Sequence, residues 1–263
     1  MSTIVPPAPP SRRRAVIITL VVLLVVSLLM LMGLRHGKET AAQAAIPTLT
    51  QSQEIALGQQ AVPSLAALHG GLSADAAQQA MVSRVGQHIV ATTDAAKAGW
   101  KFEFHLLAEP NTLDAYSLPG GQILITTALL NHFHTEGELA AVLSQQIAHV
   151  MARDVAHSLK AQGMTTVILG NGDTSQLVPE VVKFAFTPEQ ELKADTQALK
   201  LMSQAGYSPN AMLGLLRVLS DAYYAHADVA FFTTHPNAAT RVKNIQDGIA
   251  GLYPTGVPKN LSQ

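Results

Sequence analysis

The chain has 263 residues, of which 48% are hydrophobic and only 13% are charged, and its formal net charge at pH 7 is −1. Residues 1–38 contain five Lys and Arg residues and no Asp or Glu, so the remainder carries 12 basic and 18 acidic residues. This acidic remainder argues against nucleic acid as a partner. The chain contains no Cys, which excludes disulfides, thiol catalysis and a lipidated cysteine.

An uncharged apolar segment occupies residues 15–34, AVIITLVVLLVVSLLMLMGL. At about 1.5 Å per residue, a helix of this length crosses the hydrocarbon core of a bilayer. Arg12–Arg14 precede the segment and Arg35 and Lys38 follow it, a modest bias that favours a cytoplasmic N-terminus. We therefore expect a single-pass protein of the inner membrane whose main domain is periplasmic or otherwise outside the cytoplasm. The expected parts are a cytoplasmic tail at 1–14, a transmembrane anchor at 15–34 and a linker at 35–50.

A cleaved signal peptide is the alternative interpretation of this N-terminal region. The apolar part of a signal peptide is normally about 7–15 residues long, which is shorter than the segment present here. However, Ala42-Gln43-Ala44 fits the small-residue pattern of a cleavage site. Either interpretation indicates export, and an exported chain without Cys is consistent with a bacterial envelope.

Hydrophobic periodicity predicts two helices followed by two strands. A helical pattern begins near Gln51, and a second helix over 74–96 has apolar residues at fourfold spacing. The period then changes, because Phe102, Phe104 and Leu106 alternate with polar residues, as in a half-buried strand. A Pro-Gly-Gly turn leads into a second β-rich run at Gln122–Thr126.

Capping signals mark the later helices. Thr135 and Glu138 form a capping box, and Thr187 precedes a Pro at the first position of another helix. The predicted helices run from Thr135 to about residue 160, from Thr187 to about Gly206, from Pro209 onward and over 237–249. The predicted fold is α+β and mostly helical with one small sheet; the main domain is expected at 51–250 and a C-terminal tail at 251–263.

The stretch ELAAVLSQQIAH at 138–149 carries the strongest chemical signal. In the zinc-peptidase signature H-E-x-x-H, two His on one helical face bind zinc, and the Glu is the general base for the bound water. The matching positions here are Gln145, Gln146 and His149. An amide is a poor substitute for imidazole at a zinc site, and it cannot accept a proton. Taken alone, QQIAH also fits a helix in which His149 is a packed structural residue.

Six stretches in sequence resemble the M48 family of zinc metallopeptidases, in its bacterial envelope branch. The resemblance covers most of the exported domain and follows the family's order and spacing. The matching stretches are EIALGQQA at 54–61, LPGGQILIT at 118–126, ELAAVLSQQIAH at 138–149, EQELKAD at 189–195, AGYSP at 205–209 and THP with Arg241 at 234–241.

The resemblance implies a zincin-like fold, a zinc cofactor and specific roles for several residues. It implies that Glu191 is the third zinc ligand and that Asp195 orients a metal-binding His. It places His235 near the cleft and Arg241 on a nearby helix. It also matches 118–126 to a loop and edge strand beside the cleft, where an extended peptide adds as a β-strand. The peptide-binding residues implied in this way are Gly120, Gly121, Gln122, Ile123 and Leu124.

The departures from the family pattern fall on the catalytic positions. Gln145 replaces the first ligand and Gln146 replaces the general base, whose loss alone costs about 10²–10⁴-fold in rate. The run at 114–117, with Asp114, Tyr116 and Ser117, also differs from the commoner N-A-F-A. We therefore expect zinc binding to be weak or absent.

The retained residues also have structural interpretations. Glu191 suits the N-terminus of a helix, and Asp195 is compatible with a surface ion pair. Neither residue is diagnostic of a metal site on its own, so both interpretations stay open at this point.

Three functions are compatible with this sequence. The first, which we favour, is a pseudopeptidase that binds envelope proteins or peptides in its cleft without cutting them. The second is an active zinc metalloendopeptidase with a rebuilt metal site made of His149, Glu191 and His235. The third is a non-catalytic module that assembles with other membrane proteins through its apolar helices and its anchor.

Overall fold

The computed structural model describes residues 48–168, 173–225, 228–235 and 238–263. Thr48–Gln263 make up one unit of the chain, and the predicted tail, membrane anchor, cleavage site and most of the linker fall outside the described residues. Within the described ranges, none of the helices combines the length and the apolar character that a membrane crossing requires.

Helices dominate the described part of the chain, with one small sheet. The strands are β1 (Glu103–Leu107), β2 (Ala115–Ser117) and β3 (Gln122–Thr126). The helices are α1 (Gln51–Leu68), α2 (Ala76–Thr92), α3 (Thr127–His132), α4 (Glu136–Ala152), α5 (Asp154–Ala161), α6 (Val178–Val181), α7 (Pro188–Gln204), α8 (Ala211–Tyr224), α9 (Phe231–Thr234) and α10 (Ala238–Leu252). Short 3₁₀ turns lie at Asp94–Lys97, Pro119–Gly121, Met164–Ile168 and Ser175–Leu177. This confirms a mostly helical α+β fold.

The three strands are ordered β1-β3-β2, with β3 in the centre. Strand β1 pairs with β3 in parallel, and β2 pairs with it antiparallel. Every residue of β3 is buried, and Ile123 and Leu124 are paired on both sides. The prediction that 118–126 contains an edge strand is therefore wrong, because the backbone of β3 is hydrogen-bonded to β1 on one side and to β2 on the other. The edge strands are β1 and β2, and Gln79 of α2 already bonds the outward backbone groups of Phe104 and Leu106 in β1.

The two glycines assigned to peptide binding serve a buried turn. Gly120 and Gly121 both have positive φ values, 77° and 117°. A Cβ at Gly120 would lie 2.3 Å from the Cα of Ile55, and one at Gly121 would lie 2.5 Å from the carbonyl oxygen of Lys101. Neither position is exposed to a ligand, because helix α1 and the chain before β1 cover the turn.

The helix that carries the motif begins as predicted but ends earlier. Thr135 and Glu138 form the predicted capping box. The helix stops at Ala152 instead of near residue 160, because Arg153 adopts a left-handed conformation with φ 58°. The guanidinium of Arg153 donates to the Glu54 carboxylate at 2.7 Å and to the Leu49 carbonyl oxygen at 2.5 Å. These long-range contacts stabilise a conformation that costs a non-glycine residue about 1–2 kcal/mol.

The later helices follow their capping signals, whereas the end of the chain does not form a separate tail. Thr187 caps α7 with Pro at its first position, as predicted. Helix α10 continues to Leu252. The backbone of Ser262 then accepts from Ser208 at 2.7 Å and donates to Gly206 at 3.0 Å. Residues 251–263 are thus docked on the domain by backbone hydrogen bonds that no local pattern predicts.

Helix α4 lies in the middle of the domain. All fourteen residues from Gly137 to Val150 are buried. The larger hydrophobic cluster joins α4 to α2, α7, α8 and the sheet, and a second cluster links α1, α5 and residues 177–186. A helix buried on all sides has polar side chains only where they find partners. The partners of Gln145, Gln146 and His149 therefore define the site.

The contact between α1 and the Pro-Gly-Gly turn gives a stability prediction. A Cβ at Gly58, inside α1, would lie 1.9 Å from the carbonyl oxygen of Pro119. We expect Gly58→Ala to lower the free energy of unfolding by about 1–3 kcal/mol, because the rigid backbone of the turn must move. The control is Gly251→Ala in α10, where a Cβ meets no atom within 4 Å. This variant should range from unchanged to about 1 kcal/mol more stable. Urea unfolding measures both, and equal effects would contradict this packing.

Candidate functional site

The three motif positions of α4 point into the protein interior. The side chains of Gln145 and Gln146 are fully buried, and His149 is 1% exposed. The Nε2 amide of Gln145 donates to Oε2 of Glu191 at 2.8 Å. The Nε2 amide of Gln146 lies 3.0 Å from Nε2 of His235. Since the nitrogen lone pair of an amide is delocalised and does not accept hydrogen bonds, Gln146 is the donor and His235 the acceptor.

Glu191 lies in the first turn of α7 and is fully buried. Its Oε1 atom is 3.3 Å from Nε2 of His149, and its Oε2 atom is 3.1 Å from Nη1 of Arg241. These distances are those of ion pairs, yet His149 Nε2, Glu191 Oε1 and Arg241 Nη1 have no aligned hydrogen-bond partner. Glu191 therefore lies at the helix N-terminus and also in the polar centre. Its interpretation as a helix N-terminal residue is thus compatible with a place in the site.

Asp195 forms a buried ion pair and not a surface one. Its two oxygens accept from Nε and Nη2 of Arg241 at 2.9 and 2.8 Å, and both side chains are fully buried. The family-based expectation that Asp195 orients the metal-binding His is also not met for His149. Asp195 acts on the centre through Arg241, the α10 residue that also faces Glu191.

Asp154 is the residue that orients His149. Its Oδ2 atom lies 2.8 Å from Nδ1 of His149, which directs Nε2 toward Glu191. Asp154 was not predicted as a site residue, because the predicted helix continues through this position. In a continuous helix a residue five positions later lies about 140° around the axis. The left-handed residue Arg153 ends the helix and brings Asp154 back to His149.

Two aromatic rings that sequence reasoning did not identify cover the imidazoles. Phe186 stacks on His149 with a centroid distance of 3.6 Å, and Phe231 stacks on His235 at 4.1 Å. Both phenylalanines are buried. Stacking of this kind depends on segments distant in sequence, and no local pattern around Phe186 or Phe231 indicates it.

The two histidines have opposite pKa shifts. Burial acts to lower the pKa of His149, but the hydrogen bond to Asp154 and the nearby carboxylates of Asp154 and Glu191 outweigh it and raise that pKa above its ordinary value. Burial lowers the pKa of His235 well below its ordinary value, and the charges of His149 and Arg241 add to this effect. His235 is therefore a neutral imidazole, in agreement with its role as acceptor for Gln146.

The donor atoms at this centre fit a zinc ion in composition. His149, Glu191 and His235 are the one group of potential ligands found in the described residues, with ligand atoms within 4.8 Å of one another. His149 Nε2 and Glu191 Oε1 are 3.3 Å apart, close to the separation of about 3.3–3.4 Å between tetrahedral zinc ligands. A bound zinc would supply a polarised water. Two histidines and a glutamate form a known catalytic donor set, although His235 directly follows α9 and does not occupy the position of Gln145.

The centre is closed in this structure. Glu191 is fully buried, and His149 and His235 are each 1% exposed. The two cavities that touch these histidines have volumes of only about 10 Å³ each, room for roughly one water molecule. A peptide therefore reaches the imidazoles only if Phe186 and the neighbouring chain move.

Comparison with known proteins agrees with this site. The sequence profile of Peptidase family M48 matches residues 76–249, so the chain belongs to peptidase family M48. It is 31% identical to the mitochondrial metalloendopeptidase OMA1 of Schizosaccharomyces pombe over 176 residues, covering 63% of this chain and 51% of the relative. It is 25% identical to the beta-barrel assembly-enhancing protease of Yersinia pestis over 260 residues, covering 87% and 53%. The chain spans about half the length of the curated relatives it matches.

The buried ion pairs of α10 give a second stability prediction. Arg241→Met removes the cation between Glu191 and Asp195, and we expect a loss of about 3–5 kcal/mol because two buried carboxylates are left without it. The matched control is Lys243→Met on the same helix, whose partner Asp247 is exposed. The control should change stability by less than about 0.5 kcal/mol. Chemical denaturation of both variants measures the difference, and a similar loss in both would contradict the assigned role of Arg241.

Proposed function

We propose that this chain is a membrane-anchored M48 pseudopeptidase that binds protein or peptide clients without cleaving them. The observation that carries this proposal is the polarity of two hydrogen bonds. Gln145 donates to Glu191, and Gln146 donates to His235. The Gln146 amide thus occupies the His235 lone pair that a metal would need, and the Gln145 amide, at the position where an active enzyme has a ligand, gives Glu191 an N–H donor instead.

The charge balance of the centre supports the same proposal. Glu191 is a buried carboxylate, which requires a compensating positive charge. Arg241 shares its charge between Glu191, at 3.1 Å, and Asp195, and Gln145 adds an N–H donor to Glu191. The carboxylate is therefore stabilised without a metal ion, and Gln146 has no group that accepts a proton from water.

Strand β2 is the edge along which a client would bind. Thr126 donates to the carbonyl of Asp114, and Leu118 donates to that of Gln122, so alternate residues of this segment face β3. The backbone groups of Ala115 and Ser117 consequently point away from β3, where the Asp114 carboxylate already holds the Ala115 N–H at 2.8 Å. An extended client pairs with the remaining outward groups by strand addition.

The proposed location follows from the N-terminal segment and from the names of relatives. Residues 15–34 would anchor the chain in the inner membrane, with the N-terminus cytoplasmic and the domain periplasmic. One relative is called a beta-barrel assembly-enhancing protease. We therefore propose envelope proteins as the clients, and no nucleic acid.

An active metallopeptidase is the second candidate, and one observation favours it. His149, Glu191 and His235 lie close enough together to hold a metal ion after small movements. For this to occur, Gln146 must release His235, and a carboxylate from elsewhere must replace the general base. In that case the closed centre would be a resting state that opens when zinc binds.

Metal content and proteolysis separate the two candidates. We expect the purified chain to bind well under one zinc per chain after incubation with excess zinc, and to cleave casein no faster than His149→Ala. The double variant Gln145→His with Gln146→Glu should bind close to one zinc per chain. It restores a ligand and removes the two amides that donate to Glu191 and His235. One zinc per chain in the unaltered protein, together with proteolysis that His149→Ala abolishes, would establish the active enzyme.

Methylated peptides test strand addition without changing the protein. Any peptide that binds β2 presents only every second N–H toward it. We expect N-methylation at one alternate set of residues to weaken binding at least about tenfold, and methylation of the intervening set to have little effect. Fluorescence anisotropy of labelled peptides measures both. Equal loss from the two sets would contradict strand addition and favour an assembly surface elsewhere.

A further inference from the structure

An open cavity of about 490 Å³ lies on the side of β2 that carries Tyr116. Tyr116 is half-buried, whereas its neighbours Ala115 and Ser117 are buried on the opposite face of the strand. The ring of Tyr116 lies 5.1 Å from that of His69, at the end of α1. Residues that line the cavity include His69, Asp114, Tyr116, Phe184, Tyr223 and Asp228.

A client strand paired with β2 would send every second side chain to this face. Directly opposite residues in an antiparallel pair have Cβ atoms about 4.5–5.5 Å apart. The client residue beside Tyr116 therefore projects toward the cavity. Its volume is larger than any single side chain requires, so a long side chain fits.

The lining combines aromatic rings with negative charge. Tyr116, Phe184 and Tyr223 supply the rings, and Asp228 supplies an exposed carboxylate. Asp114 adds negative charge from a buried carboxylate that accepts from the Ala115 N–H. Lys183 is the one Lys or Arg among the described lining residues. Burial is the main cause that raises the pKa of Tyr116 above its ordinary value, and the charges of Asp114, Glu109 and Asp228 add to it. The field at this position is therefore negative.

One aromatic ring of the cavity lining is also well exposed. Tyr223 is 58% exposed. Its ring is therefore available to a side chain that enters the cavity.

We propose that this cavity binds a Lys or Arg side chain of the client, so that the chain selects extended segments with a basic residue at this position. Aromatic faces attract cations, and carboxylates form charge-assisted hydrogen bonds with them. An acidic side chain would meet the same carboxylates with repulsion. The inference rests on the proposed function, because a client reaches the cavity by pairing with β2.

Four matched peptides test this selectivity on the full 263-residue chain. They are eight-residue, β-prone, fluorescein-labelled peptides that differ at one central position, which is Lys, Arg, norleucine or Glu. We expect the Lys and Arg peptides to bind about 5–20-fold more tightly than the norleucine peptide, and the Glu peptide to bind most weakly. The preference should shrink as salt is added.

Two tyrosines that are adjacent in the sequence provide the variant and its control. Tyr223→Ala removes a ring from the cavity, and we expect it to reduce the preference for Lys over norleucine about 3–10-fold. Tyr224→Ala removes a more exposed ring and should leave the preference unchanged. Asp228→Asn should reduce it as well, while an amide oxygen still accepts from Thr112.

Each outcome has a distinct meaning. Tight binding of the basic peptides that depends on Tyr223 and Asp228 supports the inference. Equal affinity for all four peptides overturns the inference and leaves the proposed function standing. A basic preference that Tyr223→Ala does not alter also overturns the assignment to this cavity. Absence of binding by every peptide overturns the proposed function, and the inference with it.

Discussion

Arg241 of α10 places one buried guanidinium against two carboxylates of α7, and the arrangement of the polar centre depends on this contact. Glu191 and Asp195 are one helical turn apart, so their charges repel each other unless a cation lies beside them. The guanidinium binds Asp195 through two hydrogen bonds and faces Glu191 at 3.1 Å. Glu191 then accepts a hydrogen bond from Gln145 and faces His149. Two helices distant in sequence thereby determine the orientation of side chains on a third.

Gln145 and Gln146, which replace the His and Glu of the signature, change the direction of hydrogen bonding more than the shape of the site. A histidine or glutamate at these positions offers lone pairs. A glutamine of similar size turns N–H groups toward the same neighbours, Glu191 and His235. The stacking of Phe186 on His149 and of Phe231 on His235 does not involve positions 145 and 146, because it needs only the planar imidazoles. The amide N–H groups of both glutamines are paired, whereas their Oε1 atoms are buried without a hydrogen-bond partner.

The sequence predicts what depends on neighbouring residues and misses what depends on distant ones. The capping box at Thr135 and the helix start at Thr187 were predicted because each signal lies within four residues. The family resemblance placed Glu191, His235 and Arg241 near one another correctly. It did not show that β3 is the central strand, because strand order depends on the whole topology and not on the composition of the strand. Asp154 was missed for a related reason, since its position depends on the end of a helix that local sequence does not specify.

That helix end illustrates how a tertiary contact can determine secondary structure. Nothing in the residues around 153 requires a stop, and the left-handed conformation is held by Glu54, which is 99 positions earlier in the chain. If the contact with Glu54 were lost, α4 and α5 would be free to merge into one continuous helix. Asp154 would then rotate to the far side of the axis, and His149 would lose the group that fixes its ring. A contact from α1, the first helix of the domain, therefore determines where the central helix α4 ends.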